Sequence, residues 1–130
     1  MNKTAHFEKL DCWRQARALA VEVYQASMNG NLSKDFVLRD QLRKSVISIV
    51  SNIADGKERE TPGELIRYLR LAKASTAKLR TQLLISREIG HLGEGDFLDF
   101  EDKATRVSSS LADLIKATQE SQEKTAPTSQ

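Results

Sequence analysis

TPGELIRYLRLAKASTAKLRTQLLISREIG, residues 61–90, decides the fold. It opens with a helix start: Thr61 at the N-cap, Pro62 at the first helical position and Glu64 at the third. Proline there loses only an amide that no helix would use, and a Thr-x-x-Glu pair predicts a reciprocal capping box. From there Leu65, Leu69, Ala72, Thr76, Leu79, Leu83 and Ser86 recur at alternating spacings of four and three. That rhythm keeps one apolar seam on one side of a helix. Gly90 is the predicted stop, which gives about 28 residues and a rod of roughly 42 Å at 1.5 Å per residue.

Working outward, the same rhythm recurs three times. The first helix is predicted over Glu8 to Met28, with Leu10, Trp13, Ala16, Ala20, Val23 and Ser27 on one face and Asn29-Gly30-Asn31 as its stop. The second runs from Phe36 to Asp55, with Gly56 read as its C-cap. Its main stripe is Leu42, Val46, Ile49 and Ile53, and Ile47, Val50 and Ala54 form another apolar stripe beside it. One stripe is enough to bury a surface helix, so the additional one predicts contact with something outside the chain's own bundle. A fourth helix, with Asp96 as cap, carries Phe97, Phe100, Ala104, Val107, Leu111, Leu114 and Thr118. After Glu120 no apolar period remains, so residues 121–130 are read as a disordered tail behind a bundle domain of residues 1–120. Short links between helices of this spacing predict an all-α, antiparallel up-and-down four-helix bundle.

Composition agrees. Hydrophobic residues make up 39% and charged residues 29% of 130 positions, with only six Gly and two Pro. That leaves little turn chemistry for a many-stranded sheet. A single cysteine excludes an intrachain disulfide. The opening Met1-Asn2-Lys3-Thr4-Ala5-His6-Phe7 has no apolar signal core, and no run reaches the roughly 18 apolar residues of a membrane helix. The expectation is a cytoplasmic protein with no membrane partner.

Net charge is only +2, but it is unevenly spread. Residues 36–89 hold eleven Lys/Arg against six Asp/Glu, while residues 90–130 hold four against eight. Arg67, Arg70 and Lys73 on the third helix, with Arg39 and Arg43 on the second, are the candidate nucleic-acid-binding residues. Cations of this kind neutralise phosphates without reading bases. The competing reading is a solvated face that serves solubility.

Catalytic and metal chemistry find little support. Glu88-x-x-His91 has the spacing of a di-iron bundle motif, but that chemistry needs two such pairs and further glutamates, and the chain has two histidines. Gly56-Lys57 lacks the upstream glycine and the following hydroxyl of a phosphate loop. Cys12 has no histidine base in register. Ser48, Ser51 and Asn52 fall within an apolar helix, where small polar groups favour close helix contact. No enzyme activity, cofactor or metal is expected.

Gln41 through Gly56, with its Ser51-Asn52-Ile53-Ala54-Asp55-Gly56 run, resembles the signature of bacterial four-helix bundle proteins encoded in intervening sequences of large-subunit ribosomal RNA. Phe7, Leu10, Trp13 and Ala16 are similar too, as are Glu64, Tyr68-Leu69, Ala72, Ser75, Leu79, Thr81 and Ile89-Gly90-His91-Leu92. The likeness covers residues 7–118. It implies an antiparallel bundle that forms homopentameric rings, with no established enzymatic activity. A relative, the accessory variability determinant of diversity-generating retroelements, binds a reverse transcriptase and nucleic acid through a basic surface. Val50 stands where the family often has proline, Asp55 where glutamate is common, and Lys78 where an acid is common.

The expected protein is therefore a non-enzymatic homo-oligomer, five copies favoured, with Ile47, Val50 and Ala54 at its interface. RNA, DNA or a nucleic-acid enzyme is its partner on the basic surface. The alternative is a structural or protein-interaction module that binds no nucleic acid.

Overall fold

The structure, a computed structural model, describes residues 6–125. A 3₁₀ turn, His6–Lys9, leads into α1 (Asp11–Ala26), a one-turn α2 (Gly30–Lys34), α3 (Phe36–Lys57), α4 (Pro62–Glu88) and α5 (Glu94–Thr125). The chain is all-helical, with no strand among the described residues.

Each long helix forms about where its period predicts and buries most of the predicted seam, with Leu10, Trp13, Leu65, Leu114 and Thr118 half-buried. Cys12, Ala16, Leu19, Ala20 and Val23 of α1 meet Leu42, Val46, Ile49 and Ile53 of α3, Leu69, Ala72, Leu79 and Leu83 of α4, and Phe97, Phe100, Ala104, Val107 and Leu111 of α5 in one core. Fully burying a large aliphatic side chain contributes about 1.5–3 kcal/mol, so these seams rather than helix propensity hold the helices in place. Around the core α1 packs on α3, α3 on α4, α4 on α5 and α5 on α1.

Contacts set chain direction in two of these pairs. Gly56 faces Leu65 and Tyr68, while Ser48 Oγ lies 2.8 Å from Ser75 Oγ, so α3 and α4 run oppositely. Arg87 pairs with Glu94 and Arg80 with Glu101, which opposes α4 and α5.

Several ends differ from the expectation. The first helix is not continuous from Glu8: a 3₁₀ turn and the extended Leu10 precede it, and the Phe7 ring there packs against Trp13 at 5.1 Å with the planes tilted by 54°. Asn29-Gly30 begins a further helical turn that sequence reading missed. Gly56 is no C-cap. It sits inside α3, and a Cβ there would meet Tyr68 Cβ at 2.8 Å, so glycine is needed for helix approach rather than for termination. Asp96 is no cap either, because α5 begins at Glu94. Thr61 does cap α4, accepting from the Glu64 amide at 3.2 Å, but the Glu64 carboxylate turns to Arg67 instead of back to Thr61. Gly90 ends α4 as read. At φ 80° it lets the His91 amide reach Ser86 O at 2.8 Å and its own amide reach Arg87 O at 3.0 Å, a Schellman closure. Helix α5 continues through Thr125, into the stretch read as a tail, and residues 126–130 lie outside the described residues.

Candidate functional site

Three of the five basic candidates lie along the first half of α4. Arg67 lies on the first turns of α4, its Nε 2.9 Å from Glu64 Oε2 and its guanidinium 4.6 Å above the Tyr68 ring. The bond to Glu64 raises the Arg67 pKa still further, so its charge is secure. Arg70 follows one turn on and is exposed; Lys73 is half-buried. Neither has an ion-pair partner among the described residues.

Sequence reading missed two members of this group. Arg59, in the turn between α3 and α4, donates from Nη2 to Tyr68 Oη at 2.7 Å and lies 4.7 Å over the same ring. Tyr68 thus holds two guanidinium groups. Cation–π contacts at exposed sites contribute about 0.5–1 kcal/mol each, enough to bias where the arginines rest. The available signal was the single tyrosine next to Arg67 at a helix start. Asp55, Glu58, Glu60 and Glu64 lie nearby in sequence, so cations at this end are interspersed with carboxylates.

Arg39 and Arg43 are elsewhere. Since Ser48 meets Ser75, Arg70 is level with about Ile53 on α3, which leaves Arg39 roughly 20 Å away along the axis at 1.5 Å per residue. Arg39 is bonded to Asp40 Oδ1 at 2.9 Å and Ser33 O at 3.2 Å and lies over Phe36. Arg43 donates to Ser27 Oγ at 2.8 Å and covers Tyr24 at 4.4 Å. Both act as packing groups for the α1–α2–α3 corner.

The additional apolar stripe borders a groove. Ile47 and Val50 of α3 face Ala20, Val21 and Tyr24 of α1 across an open groove of about 370 Å³, edged by Arg17, Gln25 and Ser51. Val21 and Ile47 are each 51% exposed, whereas Val50 and Ala54 are half-buried.

Among the described residues no group of three His, Cys, Asp or Glu could hold a metal. His91 lies beyond the Gly90 turn, its Nε2 3.3 Å from Asp35 Oδ2, and Asp35 caps α3 through the Leu38 amide. Cys12 is buried, and burial pushes its thiol up to about 11, the reverse of an activated nucleophile. Ser48 bonds across to Ser75 while Asn52 Nδ2 donates to Ser48 Oγ at 3.1 Å, so these groups join α3 to α4. Among the described residues no helix is long and apolar enough to cross a membrane.

A family model described as 23S rRNA-intervening sequence protein matches residues 8–113, most of the four long helices. The chain belongs to that family. A crystal structure of a protein with unknown function from the S23 ribosomal protein family of Bacteroides thetaiotaomicron VPI-5482 is similar, with a TM-score of 0.74 at 19% identity. The match covers 81% of this chain and 98% of that one, and at such identity it is the fold that is shared. No curated protein matches the sequence. Within the matched residues the Ser51–Gly56 run has packing roles: Ile53 fills the core, Asn52 braces Ser48, and Gly56 admits Tyr68.

Proposed function

We propose that this member of the family is a non-enzymatic, cytoplasmic binding protein, an antiparallel up-and-down four-helix bundle that associates with copies of itself and holds nucleic acid on the basic start of α4. The opposed directions of α3 against α4 and of α4 against α5 support the bundle topology. The observation that carries the nucleic-acid reading is the cluster of Arg59, Arg67, Arg70 and Lys73, in which Arg70 and Lys73 have no carboxylate partner among the described residues. Phosphates would complete their pairing and release counterions. Arg39 and Arg43 join this surface only as distant secondary contacts, given their internal bonds. Self-association repeats the cluster, so several weak sites engage one strand together. Five copies is the number that the family resemblance favours, and Ile47, Val50 and Ala54 are the proposed contact.

The test is titration of labelled RNA and DNA at about 50 and 200 mM salt, where several phosphate contacts cost orders of magnitude in affinity. Arg67→Glu with Arg70→Glu is expected to abolish binding. No binding at the lower salt, or binding unchanged in the double variant, rejects the nucleic-acid reading and leaves the module that meets only other proteins.

A further inference from the structure

Between Leu65 and Arg87 helix α4 carries six cations and no carboxylate, and α3 has no carboxylate from Gln41 to Ala54. Arg67, Arg80 and Arg87 turn to carboxylates outside these stretches. Lys78 on α4 and Lys44 on α3 are exposed and have no ion-pair partner among the described residues. The opposed helix directions bring the two lysines level. Lys44 stands four positions before Ser48, and Leu79, beside Lys78, stands four positions after Ser75, the partner of Ser48. Val37, Gln41, Lys44 and Ser48 follow one another at spacings of four, three and four, which keeps Lys44 on the same stripe of α3 as the contact with α4.

Exposed apolar side chains flank Lys78 along α4. Leu71 stands one heptad before it and Ile85 one heptad after, 43% and 45% exposed. Heptad steps keep the three on one line, so Leu71 and Ile85 are roughly 21 Å apart with Lys78 midway. Ile89 follows Ile85 by one turn, and Val37, 77% exposed, is level with about Ser86. A nucleic-acid backbone on this face would meet the lysines but leave Leu71, Ile85 and Ile89 in water. A second copy offering the same face would set lysine against lysine, a like-charge cost.

We infer that the outer α3/α4 face is a docking site for an acidic amphipathic helix of another protein. The occupant lies along α4 with apolar side chains two heptads apart, over Leu71 and Ile85, and carboxylates at the heptad between, in reach of Lys78 and Lys44. Burial of the apolar ends supplies affinity, as for other helices recognised by their spaced anchors. The lysine pair admits an acidic partner and turns away a basic one. This surface is separate from the Ile47/Val50 contact and from the Arg59/Arg67 cluster, so it stands or falls independently of both.

The test is fluorescence anisotropy of the full chain with a labelled Ala/Gln-based helical peptide that has leucines two heptads apart and a glutamate midway. This peptide is expected to bind at least about tenfold more tightly than its counterpart with lysine for that glutamate. Lys44→Glu with Lys78→Glu is expected to reverse the preference, a change of sign that no folding defect produces. Ile85→Ser is expected to weaken both peptides, with folding checked by circular dichroism. Equal affinity for the two peptides, or no binding of either, overturns the proposal. RNA binding lost in the lysine double variant as fully as in Arg67→Glu with Arg70→Glu assigns the face to nucleic acid and overturns it as well. So does a fall in the mass of Ile85→Ser on a sizing column, which places a second copy of the chain there.

Discussion

Helix α3 has two flanks of different composition, and they meet their neighbours differently. On one flank Ser48 and Gly56 meet α4, and the small side chains let the backbones approach until Gly56 lies against Tyr68. On the other flank Ile47 and Val50 meet α1 across Ala20, Val21 and Tyr24, and a groove stays open. The more hydrophobic flank is the less buried one. What closes a helix pair is the match in size across it, and bulky residues that find no partner within the chain remain available to another.

Substitutions along α3 can break this contrast. The largest loss is expected from Ile53→Ala, fully buried between the two flanks, at about 2–5 kcal/mol. Gly56→Leu follows at about 1–3 kcal/mol, since the added side chain must push α4 away. Both are read by urea unfolding; a Gly56→Leu protein as stable as wild type would mean the close flank is not close. Ser75→Ala removes the partner of Ser48 across that flank and is expected to cost about 1 kcal/mol. Ile47→Glu, on the open flank, should change stability of the single chain by less than about 0.5 kcal/mol while removing self-association. A large loss of stability there would move Ile47 into the core.

Alkali sharpens the same contrast from the side of α1. The Cys12 thiol is raised from 9.0 to about 11 by burial, so folding holds its proton more tightly than the unfolded chain does. This contribution is complete below pH 9, where both forms are protonated, and is lost as pH rises through about 11. Melting temperature is therefore expected to fall over that window in wild type and less so in Cys12→Ala.

Much of this was legible in the residues. Seam positions such as Leu69, Leu79 and Leu111 announce themselves by spacing, because a helix has one period and one core. The Thr61 cap and the Gly90 stop are local chemistry and were equally readable. Gly56 was misread because a glycine near a helix end suits a C-cap and a close approach alike, and only the position of Tyr68 separates them. The basic candidates split for the same reason. Arg39 and Arg67 have the same side chain, but Ser33, Asp40 and Phe36 surround one while Tyr68 and Arg59 surround the other, and although these partners are close in sequence, spacing alone does not say which way a long side chain turns.

Only residues 58–61 separate α3 from α4, whereas the Lys103–Glu22 bond that ties α5 to α1 spans 81 positions. Closing a short loop costs little chain entropy, and contacts local in sequence form early. The order of events during folding follows: the α3–α4 hairpin, joined by Gly56 and the two serines, is the part able to assemble first, with α1 and α5 docking onto it afterwards. Slowed refolding from Gly56→Leu, against faster unfolding from weakening the Lys103 link, would be the kinetic mark of that order.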